Sequence, residues 1–356
     1  MKIHIFYLLL IALPHYSCAQ PNTDDQEETF EAKDSAVKKI EPIVITEPAK
    51  HDTDDPAIWI HPNDPSKSLI IGTDKDQDGA LYVYDLKGKV IEDKVVRGLK
   101  RPNNVDIAYG FELDGRSIDI AVVTERLTNR IRIFSLPDMQ AIDNGGIEVF
   151  VGEELRAPMG IALYKRQSDG NIYAIVGRKD GPKDGSYLWQ YLLNGKDQEY
   201  ITGSKVREFG NYSGKKEIEA IAVDDELGYV YYSDETAGVR KYYASPDSTN
   251  IELAMFATDG FAEDHEGISI YAQNDGKGFI LISDQQANKF HVFTREGTEK
   301  DPNDHRLVKI VDVSTVSSDG SEVTSVFLGE EYSEGLFVAM SDDKTFHYYS
   351  WSDIIK

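Results

Sequence analysis

An all-β fold is predicted by three observations. A strand–turn–strand pattern recurs six times along the chain, and its apolar runs alternate with period two, as in Gly278-Phe279-Ile280-Leu281-Ile282-Ser283. No stretch carries a long helical period. Taking Ile58, Ile107, Ile161, Ile221, Ile268 and Val326 as equivalent starts, the units are spaced 47–60 residues apart. That spacing suits a four-stranded propeller blade of roughly 40–50 residues plus loops. The fold class is therefore a six-bladed β-propeller of four-stranded antiparallel blades around a central channel. A stacked solenoid is the alternative, disfavoured by the irregular spacing and the lack of capping units.

Each unit supplies an apolar strand, a polar turn, a second apolar strand, a charged cluster and an aromatic-rich third strand. The first reads AIWIHPNDPSKSLIIGTDKDQDGALYVYDL and the second DIAYGFELDGRSIDIAVVTERLTNRIRIFSL. The third, GIALYKRQSDGNIYAIVGRKDGPKDGSYLWQYLL, turns at Asp169-Gly170, and the fourth is AIAVDDELGYVYYSDETAGVRKYYA. The fifth, GISIYAQNDGKGFILISDQQANKFHVFTR, turns at Asp275-Gly276, and the last is SVFLGEEYSEGLFVAMSDDKTFHYYSW. Asp-Gly supplies the positive φ that tight hairpins need.

The chain has 356 residues, with 62 acidic against 38 basic side chains and a formal net charge of −24. Such a charge repels a nucleic-acid backbone or an anionic membrane surface, so neither is an expected partner. Residues 1–19, MKIHIFYLLLIALPHYSCA, read as a signal peptide: one Lys, an apolar stretch too short for a membrane span, then small residues. Ser17-Cys18-Ala19 reads either as a cleavage site or as a lipoprotein box with Cys18 lipidated. The expected location is extracytoplasmic: secreted, periplasmic or anchored to an outer membrane. Cys18 is the only cysteine, so the mature protein has no internal disulfide and no thiolate zinc site. Residues 20–41 read as a polar tether, and 42–356 as one propeller domain, expected to act as a monomer.

In an antiparallel hairpin, the start of the first strand and the end of the second lie together. The starts carry Asp54 and Asp55, Asn103 and Asn104 with Asp106, Glu217 and Glu219, and Asp264 and Glu266. The second-strand ends carry Asp74 and Lys75, Glu125 and Arg126, Arg178 with Lys179 and Asp180, Asp234 and Glu235, and Asp284 and Gln285. In a propeller these groups ring one face of one channel. Any one cluster alone reads more simply as a solvated turn. Together they crowd carboxylates, each raising the cost of ionising its neighbours, and a cation relieves that cost. Oxygen ligands in that number suit Ca²⁺. Lys75, Arg126, Arg178 and Lys179 lie in the first three units and are placed to hold anionic oxygens.

The stretch DKDQDGALYVYD, Asp74 to Asp85, matches the opening of a calcium loop, but its flanks are strands, leaving a strand-flanked calcium loop or a plain turn. No nucleophile elbow or phosphate-binding P-loop occurs, and His265-Glu266 lacks the second histidine of a zinc protease motif.

DDPAIW at 54–59, NNVDI at 103–107, EAIAVDDELG at 219–228, DHEGISIY at 264–271 and EYSEGLFV at 331–338 give the chain a resemblance to the β-propeller phytases. These are calcium-dependent hydrolases of myo-inositol hexakisphosphate. The resemblance implies several bound calcium ions, phytate or calcium-phytate as substrate, and attack of a metal-activated water on phosphorus. By position it implies that Asp55, Glu219, Glu235, Asp264, Glu266 and Gln285 form the calcium side. Lys75, Arg126 and Lys179 become phosphate-binding groups, and Asn104, Asp106 and Asp319 sit in calcium-associated loops. Glu219 or Glu266 is the candidate general base. Ala108 and Met159 depart from the Arg and Tyr often found in that family, and the assignment among Arg178, Lys179 and Lys183 stays open. Two other readings remain: a non-catalytic calcium- and phosphate-binding propeller, and a calcium-dependent lactonase or esterase.

Overall fold

A computed structural model describes residues 39–356. Residues 1–38, on which the signal-peptide reading, the Cys18 lipidation reading and most of the expected tether fall, lie outside the described residues. Among those described, six four-stranded antiparallel sheets form the six blades of a β-propeller. Blade 1 comprises Thr53–Trp59, Leu69–Asp74, Gly79–Tyr84 and Val96–Leu99, ordered outward from the channel. The inner strands of blades 2 to 6 are Pro102–Leu113, Pro158–Lys165, Ile221–Asp224, His265–Ala272 and Ser321–Thr324.

Middle strands are buried on both faces, which is why they read as near-continuous apolar runs; Leu69–Asp74 and Gly79–Tyr84 have no exposed residue. The core lies between neighbouring blades, in six clusters, one for each interface. Ile71 and Val83, for example, pack against Val105, Val123 and Phe134 of blade 2. Truncating Ile71 to Ala would cost about 2–5 kcal/mol.

Two sequence expectations are corrected here. Val326 does not begin the sixth inner strand: it is 38% exposed, and that strand is Ser321–Thr324. Ser-Glu-Val-Thr carries too little apolar signal because this strand lines a polar stretch of channel. The calcium-loop reading of Asp74–Asp85 also fails. Asp74 ends one strand of a hairpin, Asp76 closes the turn by accepting from Asp78 N, and Asp85 follows the returning strand. Asp85 thus sits a full strand length away, where it accepts from Lys87 N and Lys89 N.

The ring closes with a strand from the other end of the chain. Val44–Ile45 pairs antiparallel with Thr345–Ser350 as the outer strand of blade 6, Val44 opposite Tyr348. Ile40 N also donates to Asp312 O at 2.8 Å.

Two backbone devices repeat around the ring. In blades 1, 2, 3 and 5 the inner strand carries a register shift at the same place, after Thr53, Pro102, Pro158 and His265. Such a bulge re-aims the side chains it carries. The residue just past each second strand donates its backbone N–H to the segment leading into the inner strand. These bonds are Lys75 to Asp52 (2.6 Å), Arg126 to Arg101 (3.0 Å), Lys179 to Ala157 (2.8 Å), Glu235 to Glu217 (3.2 Å), Gln285 to Asp264 (3.4 Å) and Asp342 to Val316 (2.9 Å).

Candidate active site and metal centre

Aligning the blades on these devices makes Asp54-Asp55, Asn103-Asn104, Met159-Gly160, Glu219-Ala220, Glu266-Gly267 and Asp319-Gly320 equivalent pairs. The first members meet at the channel mouth. Asn103 Nδ2 donates to Asp54 Oδ2 and to Glu219 Oε1, both at 3.0 Å. Lys75 Nζ bridges Asp54 Oδ1 at 2.5 Å and Asp319 Oδ2 at 3.1 Å. Blade 6 approaches blade 1 this closely because Gly320 has no side chain: a Cβ there would lie 2.5 Å from the Asp54 carbonyl oxygen.

Arg126 Nη2 is 4.0 Å from Glu219 Oε1 and also contacts the Met159 sulfur. Gln285 donates to Asp319, while Gln286 Nε2 and Lys216 Nζ both reach Asp264 Oδ2 at 2.6 Å. The mouth therefore gathers Asp54, Lys75, Arg126, Glu219, Glu235, Asp264, Glu266, Gln285 and Asp319 from five blades. Lys179 stands on the rim with its side chain 39% exposed, paired with Glu217.

Arg178 is withdrawn from the substrate-binding group. It is fully buried, donates to the carbonyls of Tyr187, Leu155 and Ser186 and to Glu153, and lies over the Phe150 ring at 4.3 Å. Its equivalents explain this. Asp74 accepts from His51 N and Asp52 N, Glu125 from Lys100 N, Asp234 from Ser213 N and Asp284 from Ala262 N. This position braces the loop leading into the blade, and the next residue faces the mouth. Adjacent strand residues point oppositely, so a one-residue choice decides the role.

Asp55, Asn104 and Asp106 lie one layer deeper, around a cavity of about 120 Å³ within the channel. Asp55 Oδ2 accepts from Val105 N at 3.0 Å and Asp106 Oδ2 from Leu163 N at 2.6 Å. Glu322 joins them. Sequence reasoning missed Glu322 because unit six was started at Val326; started at Ser321, Glu322 aligns with Asp106. Asn103 was placed among the groups ringing the channel but given no role there, and Lys216 was missed.

Burial dominates the electrostatics. It lifts Glu219 to about 8, helped by the charge on Asp54, and Glu235 to about 7, helped by Asp264 and Glu217. Burial raises Glu266 well above the ordinary carboxylate range, with Glu219 and Glu235 adding to it, and lifts Asp319 to about 7. In the deeper cavity burial raises Asp55 well above its usual value, Asp106 to about 7 and Glu322 to about 8. Burial opposes the charge on Lys75, but Asp54, Glu219 and Asp319 outweigh it and hold the ammonium above its ordinary range. Burial lowers Arg126 despite Glu219.

A cation fits this set. Glu219, Glu235 and Glu266 each offer an oxygen, all within 4.8 Å of one another. Glu266 Oε2, Asp264 Oδ1 and Asn103 Oδ1 are buried and have no hydrogen-bond partner. An all-oxygen donor set with several carboxylates favours a hard divalent ion.

The family model described as Phytase matches residues 7–348. A 3-phytase of Bacillus subtilis (strain 168) is 32% identical over 301 residues, spanning 82% of this chain and 74% of that protein. With a propeller fold, an acidic mouth flanked by Lys75 and Arg126, and a family match over nearly its whole length, this chain belongs to the phytase family.

Proposed function

We propose that the protein is a phosphoric monoester hydrolase that releases phosphate from phytate, myo-inositol hexakisphosphate, in a calcium-dependent reaction at the channel mouth. The observation that carries this reading is the Glu219–Glu235–Glu266 group, with mutually reachable oxygens, beside Lys75 and Arg126. Glu219, Glu235, Asp264, Glu266, Gln285 and Asp319 would hold calcium there, with Asp54 fixing Lys75 beside them. When bound, calcium offsets phosphate charge and lowers the pKa of water for in-line displacement.

The chain's own residues do the rest. Lys75, Arg126 and Lys179 orient the phosphate, converting binding energy into alignment. Glu219 or Glu266 takes the proton of the attacking water as the water oxygen bonds to phosphorus, and that proton passes to the departing inositol oxygen as its bond to phosphorus breaks. Asp55, Asn104, Asp106 and Glu322 would hold a further cation inside the channel, tying the blades together.

No helix among the described residues is long and apolar enough to cross a membrane. The leader-like residues 1–19 support action outside the cytoplasm, either released or lipid-anchored through Cys18.

The test is phosphate release from phytate with calcium and after exhaustive chelation. Turnover that survives chelation defeats the calcium role. Calcium-dependent binding of phytate without phosphate release defeats the hydrolase.

A further inference from the structure

Blade 5 passes from its second strand, Gly278–Asp284, to its third, Lys289–Thr294, through the turn Gln285-Gln286-Ala287-Asn288. The turn is braced from within and from the next blade. Ala287 N donates to Asp284 O and Asn288 N to Gln285 O, both at 3.2 Å, and Asn288 closes the turn in the left-handed conformation, at φ 54°. Asn288 Oδ1 also accepts from Ser317 N, on the segment leading into blade 6, at 2.7 Å. Gln285 faces the mouth, and Gln286 stands exposed beside it.

An exposed glutamine ordinarily gives its amide to water. The amide of Gln286 goes instead to two residues of the mouth. Its Oε1 accepts from the backbone N–H of Asp264 at 2.9 Å, so the Nε2 group has to point the other way. The two N–H bonds of that group serve Asp264 Oδ2 at 2.6 Å and Gln285 Oε1 at 2.7 Å. One side chain thus grips Asp264 by main chain and carboxylate together. The other oxygen of Asp264, Oδ1, is buried and has no hydrogen-bond partner. Gln285 in turn donates through its own Nε2 to Asp319, which Lys75 holds at 3.1 Å. Donors and acceptors along this run have one consistent arrangement, and Gln286 begins it.

Charge separates Gln286 from the other group on the same oxygen. The ammonium of Lys216, also 2.6 Å from Asp264 Oδ2, offsets the negative charge that draws a divalent ion. A neutral amide orients the carboxylate and leaves that charge in place.

We propose that Gln286 is the positioning residue for the blade 5 side of the metal centre. By occupying Asp264 Oδ2 and one lone pair of Gln285 Oε1, it leaves Asp264 Oδ1 and the second lone pair of Gln285 for the cation, and so sets the affinity for calcium. The proposal rests on the calcium-dependent reading above. Groups that orient metal-ligating side chains in this way are worth about 10–100-fold in metal affinity.

The test is calorimetric titration of calcium into the chelator-treated, dialysed full chain and into Gln286→Leu, which keeps the bulk of the side chain and removes its amide. The affinity of at least one calcium site should fall about 10-fold. Because the side chain is exposed, the melting temperature in chelator should not change. At limiting calcium, phosphate release from phytate should fall by a similar factor and recover when calcium is raised about 10-fold, with KM for phytate unmoved. Gln286→Ala, which adds no bulk, should show the same shift. Equal calcium affinity in parent and variants overturns the proposal and leaves the calcium reading intact. A weaker affinity that comes with a lower melting temperature in chelator for both variants overturns it too, since the side chain is then part of the fold. A parent chain that binds no calcium defeats that reading and this proposal together.

Discussion

Asn103 and Glu219, 116 positions apart in sequence, share a 3.0 Å hydrogen bond across the channel mouth, and the same Asn103 amide nitrogen donates to Asp54. One neutral side chain from blade 2 thus sets the orientation of carboxylates from blades 1 and 4. Groups that orient metal-ligating side chains are worth about 10–100-fold in affinity or activity. Asn103→Ala should raise the calcium concentration for half-maximal activity by about 10-fold or more. Calcium titrations of phosphate release would show it, and an unshifted midpoint would deny Asn103 this role.

Arg178 and Arg126 should part company. Arg178→Ala removes a buried guanidinium with four hydrogen-bond acceptors, so it should cost about 3 kcal/mol of unfolding free energy while folded enzyme keeps its turnover. Arg126 makes few such bonds and its Nε has no partner. Arg126→Ala should lower kcat/KM by at least about 10-fold with little change in the denaturation midpoint. Denaturant melts and kinetics on both variants check the split; the reverse pattern would exchange their roles.

The carboxyl groups at the mouth make chelated protein sensitive to pH. Glu219 and Asp319 titrate at about 8 and about 7 in the folded chain, above their unfolded values of 4.5 and 3.8. A raised folded pKa means that the native state binds the proton more tightly. This stabilisation is fully present below the unfolded pKa and is lost as pH rises through the folded one. Melting temperature without calcium should therefore fall between about pH 5 and pH 8, and calcium should remove the fall. Calcium added at pH 7 should also release protons into a weakly buffered solution. Parallel melting profiles with and without calcium would contradict the assignment.

Gly320 offers a steric test. A Cβ at this position meets the backbone of Asp54 and Asp55, which cannot yield as a flexible side chain would. Gly320→Ala should cost about 1–3 kcal/mol and move Asp319 away from Lys75, weakening calcium-dependent turnover. Thermal melts and activity measured together check both effects. Wild-type behaviour in both would mean that blade 6 does not need so close an approach.

Much of this architecture was legible in the sequence, because hydrophobic alternation and the antiparallel rule act locally. Asp54, Glu219, Glu235 and Glu266 meet because each sits at a strand end that the rule sends to the same face. What escaped depended on register. Arg178 and Lys179 are neighbours in sequence but opposite in direction, and charge alone does not say which one faces the mouth. Glu322 was hidden in a polar strand, where the apolar signal vanishes because the channel itself is polar. The Val44–Ile45 strand is too short to show any period, and only its pairing with His347 and Tyr348 near the other end of the chain gives it meaning.

That clasp has a consequence for how the enzyme comes into being. Pairing across some 300 positions is slow, since so long a loop must close before any contact repays it. The Lys75–Asp319 bridge lies across the same seam, joining the first blade to the last. A growing chain, however many blades it has completed, carries no working centre until its two ends have met.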